Sequence, residues 1–159
     1  MMWTTHLLFG LVSYLALVKL GVVPNSAELI IAVSIGSLIP DIDHPKSYIS
    51  HLNGFLQMSS RVISLGGHRG VTHTIFAFIL SFPLALLILR VFGRFSLWPA
   101  LAFSLGYLMH LFADSLTSSG VAWFFPFDKH RIRWAVRTGS ISELGIFALL
   151  IFVVWLMLP

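Results

Sequence analysis

The chain has 159 residues, 57% hydrophobic and 10% charged, with no cysteine and a formal net charge of +4. Soluble domains carry about 25% charged residues, so this composition and a mean hydropathy of +0.91 exclude that class and predict a single polytopic membrane domain over 1–159. Without cysteine there is no disulfide and no thiolate metal site, so a transition metal would have to use His and carboxylate; the few basic residues lie among apolar segments and exclude nucleic acid as a natural partner.

The apolar runs predict an all-α bundle of about five membrane spans. The first covers 3–22; it starts almost at Met1 without a small-residue cleavage site and reads as a retained helix. His6 lies in its first turns, and Lys19 near its far end can snorkel. VVPNSAE is a turn, and the capping-box spacing of Asn25 and Glu28 starts a second helix over 26–40. That run falls short of the ~20 residues of a full span, which leaves Asp41 and Asp43 below the bilayer surface. In the connection 41–70, Leu52, Phe55, Leu56, Val62 and Ile63 approximate helical spacing among polar residues, as in a helix lying in the interface.

HRGVTHT, His68 to Thr74, leads into a third span over 72–92, with a kink expected at Pro83 and a tight turn at Gly93 between Arg90 and Arg94. The fourth span is 96–116, with Ser96 as N-cap and Pro99 in the first turn. In the connection 117–140, an aromatic run is followed by KHRIRWAVR, and 129–137 reads as a polybasic strip against anionic lipid. Ser140 and Glu143 form another capping box before a fifth span over 141–158.

Only six acidic residues are present, and two of them, Asp41 and Asp43, follow Pro40 in GSLIPDIDHP. His6, His68, His73, His110 and Asp114 likewise sit at the edges of apolar runs, where an ionisable group is costly without a partner. Together these residues are candidate ligands of a divalent metal site. His110 and Asp114 share one helix face at i, i+4 spacing, and Tyr107 and Thr117 continue it. Imidazole and carboxylate suit Zn²⁺; the plainer reading is a hydrogen-bonded pair at a helix end. Of Asp41 and Asp43, two apart, one is read as a ligand and the other as orienting a ligand or bridging a second ion. His73 is expected inside the third helix as a ligand. His68 is read as a ligand, an orienting partner or a general acid, and Arg69 beside Gly70 as an anion clamp. His44, His51 and His130 are read as interfacial. Ala32 with Gly36, and Ala102 with Gly106, have small-xxx-small spacing that would bring the second and fourth helices together beside the ligands.

Five spans put the N-terminus, 41–70 and 117–140 on one side, with Lys46, Arg61, Arg69, Lys129, Arg131, Arg133 and Arg137; the other side carries Lys19, Arg90 and Arg94. The positive-inside rule makes the first side, and with it the candidate site, cytoplasmic.

An early His, LIPDIDHP, HRGVTHT and GYLMHLFADSLTSSGVAWFFPF, in that order, resemble the YdjM-type inner-membrane proteins of bacteria, described as membrane-bound metal-dependent hydrolases. More distantly, the order His, Pro-Asp, His, His-x-x-x-Asp is similar to the zinc-dependent phospholipase C and P1 nuclease group. That likeness implies His6, Asp41, His73, His110 and Asp114 as ligands, with Asp114 as the bridging carboxylate, and one or two ions are expected. The chain lacks the further His pair that would go with Glu143 in a three-metal cluster.

The function expected is a metal-dependent hydrolase acting on a phosphoester or another ester of a lipid or lipid-linked substrate at the membrane surface. Asp43 or His68 would carry the proton, and Arg69 would stabilise developing negative charge. No Gly-x-Ser-x-Gly elbow is present. The rival readings are a metal or proton transporter, which should place polar groups through both halves of the membrane, and a non-catalytic metal-stabilised interaction protein.

Overall fold

The structure, a computed structural model, describes residues 1–43 and 71–158. The interfacial helix expected within 41–70 lies outside the described residues, apart from 41–43, as do His44, His51, His68 and Arg69. Of Asp43 only the backbone is described. The described residues form five α-helices and no strand, in keeping with the all-α expectation.

Helix α1, Trp3–Lys19, ends one turn earlier than its apolar run predicts. Gly21, at φ 70°, forms a left-handed C-terminal turn in which Val22 N donates to Leu17 O at 3.0 Å and Gly21 N to Val18 O at 3.0 Å. Helix α2, Ala27–Gly36, is capped by Ser26, whose hydroxyl accepts from Leu29 N. Asn25 is therefore not the cap, and the Glu28 carboxylate pairs with Arg94 at 3.0 Å instead of closing a capping box. A 3-10 turn, Ile39–Asp43, follows, and a second one, Val71–His73, precedes α3, Ile75–Val91. Thr74 caps α3 by accepting from Ala77 N, so His73 lies just outside the helix rather than within it. Pro83 lies inside α3, and Gly93, at φ 72°, makes the expected tight turn. Helix α4 is Leu97–Ser115, with Ser96 at its N-cap, and α5 is Ile141–Met157, capped by Ser140.

No helix among the described residues is long and apolar enough to cross a membrane, which corrects the expectation of about five spans. Helices α1, α3 and α5 have 17 residues each. At 1.5 Å per residue this gives about 26 Å, against a hydrocarbon core of about 30 Å. Helix α2 has 10 residues, and α4, the longest at 19, carries His110 and Asp114 in its last turns. The apolar runs are longer than the helices because caps and glycine turns cut each run at its ends.

Helix α4 is the centre of the bundle. Eleven of its residues are buried, whereas only Ser81 and Ala85 of α3, and Glu143 and Leu150 of α5, are. It packs against α1, α2 and α3, and α5 packs on α1. Tyr14, Leu15, Leu29, Val33 and Ala102 form one apolar core, and Tyr107, Leu111 and Val121 a second one nearer the C-terminal end of α4. The expected α2–α4 approach is present, and it is backbone-close. A Cβ on Gly36 would fall on the Phe103 carbonyl, and one on Gly106 on the Val33 carbonyl, 2.8 Å from Ser37 N. The outer faces of α3 and α5 are carbon-only over long stretches, with Leu80, Leu84, Leu87, Leu149 and Phe152 exposed.

Candidate metal centre

Two 3-10 turns and the end of α4 meet at one place. The turn Ile39–Asp43 exists because α2 stops early: Ser37 Oγ bonds back to Val33 O at 2.9 Å, and Asp41 N donates to Leu38 O at 3.2 Å. It presents the Asp41 carboxylate. The turn Val71–His73 presents the His73 ring, and the i, i+4 spacing on α4 presents His110 and Asp114. One ligand-capable atom from each of Asp41, His73, His110 and Asp114 lies within 4.8 Å of every other.

The distances are shorter than that bound for most pairs. His73 Nε2 and His110 Nε2 are 3.3 Å apart. Asp41 Oδ1 is 3.7 Å from each of them. Asp114 Oδ2 is 3.5 Å from His73 Nε2 and 3.8 Å from His110 Nε2. Donors around a zinc-sized ion, at metal–ligand distances of about 2.0–2.1 Å, stand about 3.3–3.4 Å from one another in a tetrahedron. Two nitrogens and two oxygens at 3.3–3.8 Å therefore fit such an ion with small inward adjustments.

The orientation of the rings supports the same fit. His110 Nδ1 is 2.7 Å from the Ser37 carbonyl, which can only accept, so Nδ1 carries the hydrogen. Nε2 is then the lone-pair atom of the neutral ring, directed at His73 and the two carboxylates. His73 Nδ1 contacts Thr72 Oγ1 at 3.1 Å, and Tyr107 OH donates to Thr72 O at 2.6 Å, fixing the segment that carries the ring. Such outer partners are what hold metal-ligating histidines in register. Burial pushes the Asp41 carboxyl up, but the nearby His110, His73 and His6 rings outweigh it and hold the group well below the usual carboxylate range. Asp41 is thus an anion at neutral pH, and with 23% of its side chain exposed it is the cluster's contact with the outside.

His6 lies on the opposite side of Asp114. Its ring stacks on His110 at 3.9 Å and 14°, and its Nε2 is 3.4 Å from Asp114 Oδ1. Among the described residues, neither ring nitrogen nor Thr5 Oγ1 meets a hydrogen-bond partner of good geometry, although both residues are fully buried. The Met1 amino nitrogen also donates to Asp114 Oδ1, at 2.8 Å. Asp114 thus turns one oxygen to the four-donor cluster and the other to His6.

Five of the sequence candidates, His6, Asp41, His73, His110 and Asp114, are brought together. His68, Arg69 and the Asp43 side chain lie outside the described residues, and His130 is exposed in the 117–140 connection. Sequence reasoning missed the Ser37 carbonyl and the use made of Glu143. This carboxylate does not return to its own cap: Oε1 accepts from Met2 N and Oε2 from Gly139 N, each at 2.6 Å. It pins the start of α1, and so His6, to α5.

No solved structure matches the chain. The inner membrane protein YdjM of Escherichia coli strain K12 is 39% identical over 102 residues, covering 63% of this chain and 47% of that protein, and its Shigella flexneri counterpart matches equally. The uncharacterized protein YvsG of Bacillus subtilis strain 168 is 31% identical over 115 residues, covering 69% of this chain and 65% of that protein. The chain spans about half the length of the YdjM relatives it matches. Similarity to the family described as YdjM inner membrane protein, however, runs through all the elements that build the cluster, from residue 1 to 158, and by that match the chain belongs to the YdjM inner membrane protein family.

Proposed function

We propose that the protein is a metal-dependent hydrolase of the inner membrane, acting on a phosphoester or another ester of a lipid or lipid-linked substrate. The observation that carries this reading is the convergence of His73 Nε2, His110 Nε2 and the Asp41 and Asp114 carboxylates, with the far side of the His110 ring tied to a backbone carbonyl. Asp41, His73, His110 and Asp114 hold one divalent ion, Zn²⁺ by the chemistry of the donors. His6, beside the other oxygen of Asp114, which also accepts from the Met1 amino group, would serve a second. When bound, such an ion acidifies water and polarises an ester or phosphoester oxygen.

The chain's own residues supply the rest. Asp41, partly exposed, faces the entry side. Asp43 or His68 carries the proton, and Arg69 grips an anionic substrate with its planar fork. The more distant likeness to the zinc-dependent phospholipase C and P1 nuclease group belongs to this proposal, as does a location of the site on the cytoplasmic side, which rests on the basic residues of 41–70 and 117–140.

A second reading is favoured by the burial of His73, His110 and Asp114. An ion that only ties two turns to α4 would want a closed site of this kind. Elemental analysis of purified protein, followed by a screen of phosphate and ester lipids, separates the two. The hydrolase reading expects one or two divalent ions per chain, their loss in Asp114→Ala, and metal-dependent turnover of a lipid. Full metal content in Asp114→Ala overturns the ligand assignment. Metal without turnover across the screen leaves the structural ion.

A further inference from the structure

The loop between α4 and α5 is not used by the cluster, yet it is held firmly against the end of the helix that carries it. Val121 and Ile132 exchange both backbone hydrogen bonds at 3.0 Å. Ser118 N donates to Val136 O at 2.9 Å, Val136 N to Leu116 O at 3.2 Å, and Trp134 N to Thr117 O at 3.3 Å. Gly120, at φ 64°, allows this closeness: a Cβ there would lie 2.6 Å from the Ile132 carbonyl oxygen and from Arg133 Cβ. The loop is therefore a built surface, fastened directly after Asp114.

Its outer face combines two kinds of side chain. Phe127 is 84% exposed and Trp134 72%, with Phe124 and Ile132 about half exposed. Between them stand Lys129, Arg131, Arg133 and Arg137, all exposed. The one acid nearby, Asp128, accepts from His130 N at 2.7 Å. The exposed faces of α3 and α5 differ, being mainly aliphatic and aromatic, with charge only at Arg90 in the last turn of α3, as suits hydrocarbon. Aromatic rings interleaved with Lys and Arg match the headgroup layer, where rings sit at the polar–apolar boundary and cations meet phosphate.

We propose that the 124–137 loop is a docking surface for anionic phospholipid headgroups, with Phe127 and Trp134 seated at the boundary and Lys129, Arg131, Arg133 and Arg137 on the phosphates. Charge complementarity selects this occupant. A second copy of the loop would bring four cations against four, and a neutral lipid surface leaves them without partners. The proposal does not depend on hydrolysis. It places the lipid surface beside the end of α4, so the cluster is presented to headgroups whatever it does to them.

The test uses the 159-residue chain in detergent, with phosphatidylglycerol and phosphatidylcholine as competing probes and native mass spectrometry as readout. Wild-type protein should retain phosphatidylglycerol over phosphatidylcholine by about 10-fold at 0.15 M salt, and the preference should fall at 1 M salt. The quadruple variant K129Q/R131Q/R133Q/R137Q should lose it while keeping the wild-type metal content. Trp134→Phe should keep the preference but remove a blue-shifted tryptophan component seen in phosphatidylglycerol nanodiscs. Equal retention of the two lipids, or a preference that survives the quadruple variant, overturns the proposal. So does displacement of the bound lipid by a single-stranded RNA oligonucleotide of equal charge, which would make the loop a nucleic-acid surface. Should the quadruple variant not fold, the four single Gln variants replace it; each should lower the preference, and a flat series overturns the assignment.

Discussion

Tyr107 shows how a residue without metal-binding chemistry can govern the cluster. Its hydroxyl holds the Thr72 carbonyl at 2.6 Å, one residue before His73. Tyr107→Phe keeps the ring in its core position and removes that restraint. Metal affinity, measured by competition with a chelator, should fall by about 10-fold or more, the scale for losing an outer partner of a ligand, with little loss of folded protein. Unchanged affinity would mean that the Val71–His73 turn is fixed by other contacts. Arg69 is the matching case for turnover. Arg69→Lys keeps charge but loses the bidentate fork. Metal content should be normal, and turnover on the best lipid of the screen lower by about 10²-fold; wild-type turnover would discard the clamp. The His and Asp residues that cluster were legible because such groups are expensive in apolar runs. The Ser37 carbonyl was not, since every residue has a carbonyl and only the stop of α2 at Gly36 aims this one at His110.

Among elements, the α2–α4 contact positions the cluster most directly, because Ser37 and Asp41 follow α2 while His110 and Asp114 end α4. Gly36 and Gly106 let the two backbones touch. Gly106→Ala places a methyl against the Val33 carbonyl and Ser37 N. The expected cost is about 1–3 kcal/mol from overpacking, less the roughly 1 kcal/mol that alanine gains in a helix interior, together with weaker metal binding as Ser37 is pushed from His110. Gly145→Ala on α5 meets nothing within 4 Å and serves as the control, neutral or stabilising. Thermal unfolding of both variants checks the pair; equal melting temperatures would show that α2 moves aside freely. The small-xxx-small spacing made this contact legible. The helix lengths were not, because hydropathy reports how far an apolar run extends and says nothing of where Ser26, Thr74 or Gly21 turns the chain.

For the whole molecule, the cluster joins segments that the bundle alone holds loosely. Asp41 on the Ile39–Asp43 turn and His73 on the Val71–His73 turn meet His110 and Asp114 of α4 there, and α3 and α5 bury little of their own. Chelation should therefore lower the melting temperature of the protein in detergent, and re-addition of Zn²⁺ should restore it. An ion present at ~10³ times its Kd contributes about 4 kcal/mol to the folded state. An unchanged melting temperature after complete metal removal would confine the ion to chemistry.

The spread of the donors along the chain also sets an order of assembly. Asp41 and His73 leave the ribosome long before His110, and Asp114 comes last of the four. Until α4 is complete, α1 and α2 lack the helix on which both pack, and Thr5 and His6 have no buried place to occupy. A nascent chain halted before residue 110 holds at most two of the four donors, too few to retain an ion against cellular chelators. Loading of an ion would thus be a late event in biogenesis, following the docking of the last-made wall of the cluster.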